Sequence, residues 1–261
     1  MTTVDFITDL FCRIDDRMRV LPKHPQAVLW PSEVVTLGVL HALKGVGNRA
    51  FYRWLARDDQ ALFPHLPERT RLFRLFKTHR LWTHLFLAPT TALGVVDSYG
   101  LELIHPIREG RSPAQIGRKG LSNHRWIVGC KLCLLVNQWG GIVGWLGAPA
   151  NVHDTRFQPL IALFQDRMLV LSDTGFHAHE GDPPHLKLCP RGTWNDRMLI
   201  ETVFSMLTLI SHFKKVMHRV MEYVLARLAF TVVAFNLLIQ WDGLQPDQNG
   251  FVPLSIAEFS L

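Results

Sequence analysis

The sequence predicts an α/β protein: a mixed β-sheet flanked by helices, preceded by an all-α region over residues 1–90. Three observations lead there. Apolar residues recur at helical spacing up to about residue 88 and change to strand-like runs beyond Ala88-Pro89-Thr90-Thr91. The order after that junction is three or four strands, a helix, a strand and long helices, which is the pattern of a mixed sheet with helices packed on it. Two of the strand-like runs close on an aspartate, Asp97 and Asp173.

In the first region Val4, Ile7, Leu10, Phe11 and Ile14 mark a helix. Pro31-Ser32-Glu33 offers an N-cap and an acidic first turn to a second helix, which Gly45 and Gly47 end. Asn48 can open a third, through Phe51, Tyr52, Trp54 and Leu55, before Pro64 and Pro67 break the chain. Glu68 to Leu87 reads as one long helix or two, with Leu72, Leu75, Phe76 and Leu81 as its apolar stripe. From residue 91 to 261 a second domain is expected. Leu93–Ser98 and Leu101–Ile104 read as neighbouring strands joined by a turn at Tyr99-Gly100. Trp126–Asn137 and Ile142–Leu146 flank a hairpin turn at 138–141. Asp154 can cap a helix through Phe157, Leu160, Ile161 and Phe164, and Met168–Ser172 is a further strand.

Composition narrows the class. Among 261 residues 48% are hydrophobic, enough for a sizeable core and against global disorder. The net charge is +6 and the pI about 9.4, compatible with a polyanionic partner. Residues 1–90 hold 13 Lys+Arg against 8 Asp+Glu, a net of +5; the remainder holds 15 against 14. The excess therefore sits in front, as an attached DNA-binding region would place it. Arg71, Arg74 and Lys77 are three apart and share a helix face, which suits DNA phosphates or a solvated cationic surface. Arg108, Arg111, Arg118, Lys119, Arg125 and Lys131 lie in a Gly/Pro/Ser-rich stretch opposed only by Glu109, read as a flexible basic loop beside the first aspartate or as a plain surface loop.

Cys12, Cys130, Cys133 and Cys189 read as reduced packing thiols, because Cys130-x-x-Cys133 falls in a strand-like run with no second pair. Met1-Thr2-Thr3-Val4-Asp5 has neither a basic start nor a long apolar core, so a cytoplasmic, nucleoid-associated protein is expected. Tyr223 to Ile239 is apolar but interrupted by Arg227 and Asn236, which favours a buried core helix over a membrane span. His177, His179, His185 and Cys189 could hold zinc, but lie in an irregular loop without zinc-finger spacing. His153-Asp154 is read as a surface histidine beside a helix cap rather than as a dyad.

The chemistry centres on three carboxylates. Asp97 ends Leu93-Gly94-Val95-Val96, and Asp173 ends Met168-Leu169-Val170-Leu171-Ser172. Glu201 lies on a helix that Thr193 and Asp196 can cap and that reads as apolar all round, hence buried. A buried acid needs a partner. Arg197, four residues earlier, supplies one as a salt bridge; Asp97 and Asp173 supply another reading, a hard-oxygen cage for two Mg²⁺ or Mn²⁺ ions. In that reading Asp97 bridges both ions, Asp173 and Glu201 each complete one shell, and Arg197 and Lys215 offset the charge that develops at phosphorus. Lys215 is 215 − 201 = 14 positions past Glu201, near four helical turns, so it returns to roughly the same face if the helix continues.

At these residues the chain resembles a bacterial insertion-sequence transposase of the DDE class, from about residue 90 onward. Val95-Val96-Asp97-Ser98 resembles the family's first-Asp strand, and Leu171-Ser172-Asp173-Thr174-Gly175-Phe176 its second-Asp motif. Ala150-Asn151-Val152-His153-Asp154 resembles the segment before its connecting helix. Trp194-Asn195-Asp196-Arg197-Met198-Leu199-Ile200-Glu201 resembles its Tyr-Arg-Glu-Lys third block. The resemblance implies an RNase H-like fold, two Mg²⁺ ions, and cleavage and joining of DNA. It also implies binding to double-stranded terminal inverted repeats and target DNA by at least a homodimer, with no membrane partner. Trp194 stands at the family's Tyr and Thr208 at its Lys, and Asp173 to Glu201 spans 201 − 173 = 28 positions, too few for the β-rich insertion of several relatives. Two other functions are compatible with this pattern: a structure-specific endonuclease without strand transfer, and a decayed relative that only binds DNA.

Overall fold

The computed structural model describes residues 2–122, 125–190, 197–210, 218–241 and 248. The first third is helical: α1 (Thr3–Met18), α2 (Pro31–Lys44), α3 (Asn48–Asp58) and α4 (Arg69–Thr78), followed by a 3₁₀ segment, Arg80–Phe86. α1 starts at a capping box that the apolar spacing alone does not reveal. Asp5 N donates to Thr2 Oγ1 at 3.2 Å while Thr2 N donates to the Asp5 carboxylate at 2.9 Å. Its buried face is Phe6, Ile7, Leu10, Ile14 and Met18. α2 opens on Pro31 rather than on a Ser32 cap. The Trp30 N–H donates to Glu33 Oε2 at 2.6 Å, so the glutamate closes the helix start and Ser32 is buried. Gly45, at φ 65, ends it in the left-handed region. Glu68 to Leu87 divides into α4 and the 3₁₀ segment. Leu81, expected in the apolar stripe, points outward there, and Phe73 is buried instead.

The sheet has six strands: β1 (Leu93–Ile104), β2 (Arg118–Ser122), β3 (Arg125–Asn137), β4 (Ile142–Pro149), β5 (Leu169–Ser172) and β6 (Leu186–Leu188). β3 is antiparallel to β1, whereas β5 is parallel to β1 and β6 to β5. The free edge of β3 is shared: β2 pairs with residues 125–129 and β4 with residues 130–136, both antiparallel. The turn expected at Tyr99-Gly100 does not form, and β1 runs through it unbroken. Gly100 serves a close approach instead: a Cβ there would lie 2.5 Å from the Ser122 Cβ and 2.7 Å from Ile127. Likewise Arg118 and Lys119 lie on β2 and Arg125 on β3, not in a flexible loop.

Alternation along the strands divides the core between two faces. Val95, Leu101, Cys130, Leu132, Leu134, Val136 and Leu171 belong to one cluster with the N-terminal helices, α6 (Arg197–Ile210) and α7 (Met221–Ile239). Val96, Cys133, Leu135, Val143 and Val170 pack on the other face against Phe157, Leu160, Ile161, Phe164 and Phe176, around α5 (Gln158–Ala162). Cys130 and Cys133 therefore fall on opposite faces, as an odd spacing on a strand requires, and cannot share a ligand. Ala88-Pro89-Thr90-Thr91 is pinned rather than loose: Ala88 N donates to Ile142 O, and Asn137 Nδ2 donates to Pro89 O.

α7 is long and apolar enough to cross a membrane, and 83% of its most apolar window is buried against this protein's own helices and sheet. Its polar interruptions are satisfied there. Arg227 donates to His41 O and, at 3.1 Å, to Ala42 O in the last turn of α2. Asn236 Nδ2 donates to Phe86 O and Ile142 O, and its Oδ1 accepts from Ile142 N. One side chain thereby ties α7 to both the 3₁₀ segment and the start of β4.

Candidate active site

The β1–β5 pairing sets the position of both aspartates. It runs from Leu93 opposite Leu169 to Val95 opposite Leu171, in parallel. Asp97 lies two residues past Val95 and Asp173 two past Leu171, still in extended conformation at φ −78 and ψ 175. Side chains two apart on a strand share a face, so the aspartates occupy one row across neighbouring strands. The row sits where β5 gives way to the 3₁₀ turn Thr174–Phe176. Asp97 does not end its strand, contrary to the sequence-based expectation; β1 continues for seven residues beyond it. Backbone groups orient both carboxylates: Asp97 Oδ1 accepts from Ser98 N at 2.7 Å, and Asp173 Oδ1 from Gly175 N at 3.0 Å.

Glu201 stands apart from that row. α6 is amphipathic, not apolar all round: Ile200, Val203 and Leu207 are fully buried, while Met198, Glu201, Thr202 and Ser205 are exposed. The expected buried acid is therefore solvent-facing, and it needs no compensating partner to be stable. α6 nevertheless crosses the relevant strand. Phe204 stacks on Tyr99 with ring centroids 5.3 Å apart, and Tyr99 is two residues from Asp97 on β1. Glu201 is about one helical turn from Phe204.

Among the described residues, no group of three His, Cys, Asp or Glu side chains is placed to hold one metal ion. The structure brings Asp97 and Asp173 into one row and sets Glu201 on the helix above that face. Hard carboxylate oxygens on neighbouring strands suit Mg²⁺ or Mn²⁺ by donor chemistry. α6 begins at Arg197, but the Arg197 side chain, Lys215 and the proposed cap residues Thr193 and Asp196 lie outside the described residues. Thr208, at the family's Lys position, donates its hydroxyl to Ser205 O at 2.8 Å.

A fourth acidic group adjoins the row, where the sequence pattern suggested only a helix cap. Asp154 does not cap a helix. His153 Nδ1 accepts from Thr155 N at the start of the 3₁₀ segment Asp154–Phe157. Asp154 Oδ1 instead accepts from Lys131 Nζ at 2.9 Å and from Ser98 Oγ at 2.7 Å. Its Oδ2 borders the space over Gly175: a Cβ there would lie 3.5 Å from it and 3.0 Å from Asp173 Oδ1. The Lys131 side chain is 12% exposed. The signal for this pair was available: Lys131 alternates with the buried Cys133 and Leu135, and an inward lysine demands a carboxylate. Cys133 registers the local charge, because burial, then Asp97 and Asp154, push its thiol well above the ordinary range.

The basic residues divide by environment. Arg71 and Arg74 are exposed on α4. Lys77, on the same face, is paired with Glu222 of α7 at 3.0 Å and lies over the Tyr223 ring. Lys119 pairs with Glu109 at 3.2 Å and Arg125 with Glu102, a second opposing acid beyond the one expected; Arg118 is exposed. Lys119 also lies 5.5 Å from the ring of the exposed Trp126. Two of the histidines weighed for a zinc site have other partners: His177 pairs with Asp182 at 2.7 Å, and His185 Nε2 is 2.9 Å from Ile161 O. No family model, curated protein or solved structure matches the chain.

Proposed function

We propose that this protein is a DNA transposase with an RNase H-like core, using Asp97, Asp173 and Glu201 for metal-dependent cleavage and joining of DNA. The observation that carries the reading is the row formed by Asp97 and Asp173 on adjacent parallel strands, with α6 packed across β1 beside it. The strand order β4-β3-β1-β5-β6, with one antiparallel neighbour of β1 and two parallel strands on its other side, supports an RNase H-like reading of the sheet.

Asp97 and Asp173 would hold divalent ions, and Glu201 would complete the set when α6 closes on DNA. A pair of such ions held there would supply Lewis acidity to both the attacking and the leaving oxygen. In the first step a water oxygen bonds to phosphorus at the element's end and the bond to the 3′-oxygen breaks, leaving a free 3′-hydroxyl. In the second that hydroxyl attacks a target phosphodiester and displaces another 3′-oxygen. Both steps exchange one P–O bond for another and need no external energy source. Arg71 and Arg74 on α4 and Arg118 on β2 offer exposed cations for the duplex backbone. A homodimer would hold two ends for joining.

Thr208, hydrogen-bonded within its own helix where the family has a lysine, favours as second reading a decayed relative that only binds DNA. The discriminating experiment uses duplexes carrying the inverted ends that flank the coding region, intact or pre-cut, with Mg²⁺ and a supercoiled target. Nicking at the 3′ end and joining of pre-cut ends is the expected result. Nicking without joining selects the endonuclease, and binding without either selects a decayed relative.

A further inference from the structure

The hydrogen bonds around Asp154 reach both aspartates of the row. Ser98 donates its backbone N–H to Asp97 and its hydroxyl to Asp154. On the other side, Asp154 Oδ2 and Asp173 Oδ1 border the same space over Gly175, whose N–H is donated to Asp173. Lys131 anchors the unit from the middle of β3, opposite Gly100 of β1, with an ammonium group largely withdrawn from water.

We infer that the Lys131–Asp154 ion pair is a positioning unit that fixes the spacing of Asp97 and Asp173 for divalent-ion binding. This rests on the proposed function of that row. The physical reason is the mismatch between a strand and a turn. Asp97 is held by a continuous strand, whereas Asp173 sits on the first residues of a short turn, where the β1–β5 pairing has already ended. A charge-assisted pair that touches Ser98 on one side and flanks Gly175 on the other joins the two supports. It reaches the row through Ser98, the neighbour of Asp97 on β1, and through the space over Gly175 that Asp154 Oδ2 shares with Asp173 Oδ1. Asp154 is not itself offered as a ligand: Lys131 and Ser98 already occupy its Oδ1. Partners that orient ligating carboxylates in this way typically change metal affinity about 10–100-fold when removed.

The test is Mn²⁺ binding to the full chain without DNA, by titration calorimetry, with thermal melting followed in parallel. Asp154→Asn and Lys131→Met should each weaken Mn²⁺ binding about tenfold or more. Ser98→Ala, which removes one hydroxyl and no charge, should weaken it less, and Lys131→Arg should restore it toward wild type. Melting temperatures of Ser98→Ala and Lys131→Arg should stay near wild type, which separates positioning from general unfolding. Unchanged Mn²⁺ affinity in folded Asp154→Asn and Ser98→Ala, with binding abolished by Asp97→Asn, overturns the positioning role and leaves the row as the site. Mn²⁺ binding indifferent to Asp97→Asn overturns the row itself, and the positioning role with it.

Discussion

On one face of the sheet Asp154 is clasped by Lys131 at 2.9 Å and by Ser98 at 2.7 Å; on the other, Asp97 stands in a row with Asp173 and Glu201 is turned to solvent on α6. The closed face is backed by Phe157, Leu160, Ile161 and Phe164, where an unpaired charge would be costly, and its acid carries a cation. The other face has the larger core; there Asp97 lies within its strand between the buried Val95 and Leu101, and Asp173 follows the last β1–β5 pair. The acids of the row are oriented by backbone N–H groups, Asp97 by that of Ser98 and Asp173 by that of Gly175.

The largest expected effect breaks this contrast at the open face. Asp97→Asn should abolish metal-dependent nicking, a loss of about 10²–10³-fold or more, while binding to DNA ends stays near wild type. Gel-shift and nicking assays on the same preparation check it, and retained nicking removes Asp97 from the site. A loss of stability should follow from Asn236→Leu, which strips partners from Ile142 N and Phe86 O in the buried seam between α7 and the sheet, while Ile142 O keeps its bond from Ala88 N. Unsatisfied buried backbone groups cost about 1–3 kcal/mol each, so urea denaturation should show a loss of at least ~2 kcal/mol. An unchanged midpoint would show that water or rearrangement replaces those bonds.

Acid should weaken the helical seam next. Burial, reinforced by Arg227 and His218, holds His41 well below the usual imidazole value, and burial with Arg227 lowers His218 to about 4. Both therefore fold neutral. The unfolded chain takes up protons as pH falls below 6.5 while the folded protein does not, so stability is complete above 6.5 and declines as pH drops toward 4. Denaturation midpoints between pH 7.5 and 4.5 measure the slope; replacing His218 with Gln should flatten it. The smallest effect concerns α4. Changing Arg71 and Arg74 to Gln should lower the slope of log affinity against log salt by about 0.9 for each phosphate they neutralise. Lys77→Gln should change it less, because Lys77 already answers Glu222. Equal slopes for all three would erase the distinction between exposed and paired cations.

Much of the architecture was legible because it rests on periodicity. The strands Arg125–Asn137, Ile142–Pro149 and Leu169–Ser172, the hairpin at 138–141 and the buried α7 all follow from alternation or apolar runs. What misled were residues with two physical uses. Gly100 signals a turn by composition, but here it admits Ser122 and Ile127 against β1. Asp154 has the type and place of a helix cap, yet a lysine 23 positions earlier claims it. The apolar look of α6 hid an exposed strip at Met198, Glu201, Thr202 and Ser205, since helical wheels do not say which arc the sheet will cover. Asp173 was readable as a strand end, whereas Asp97 lies inside a longer strand than expected; the register of the row needed the pairing of Val95 with Leu171.

The most direct measurement is anomalous diffraction from crystals of the full chain grown with Mn²⁺ and a duplex bearing the inverted end. Peaks between Asp97 and Asp173, with Glu201 drawn to them, are the expected result. Density for ordered DNA with no Mn²⁺ between the two aspartates, or Mn²⁺ bound only elsewhere, would contradict the assignment of that row as the site of phosphoryl transfer.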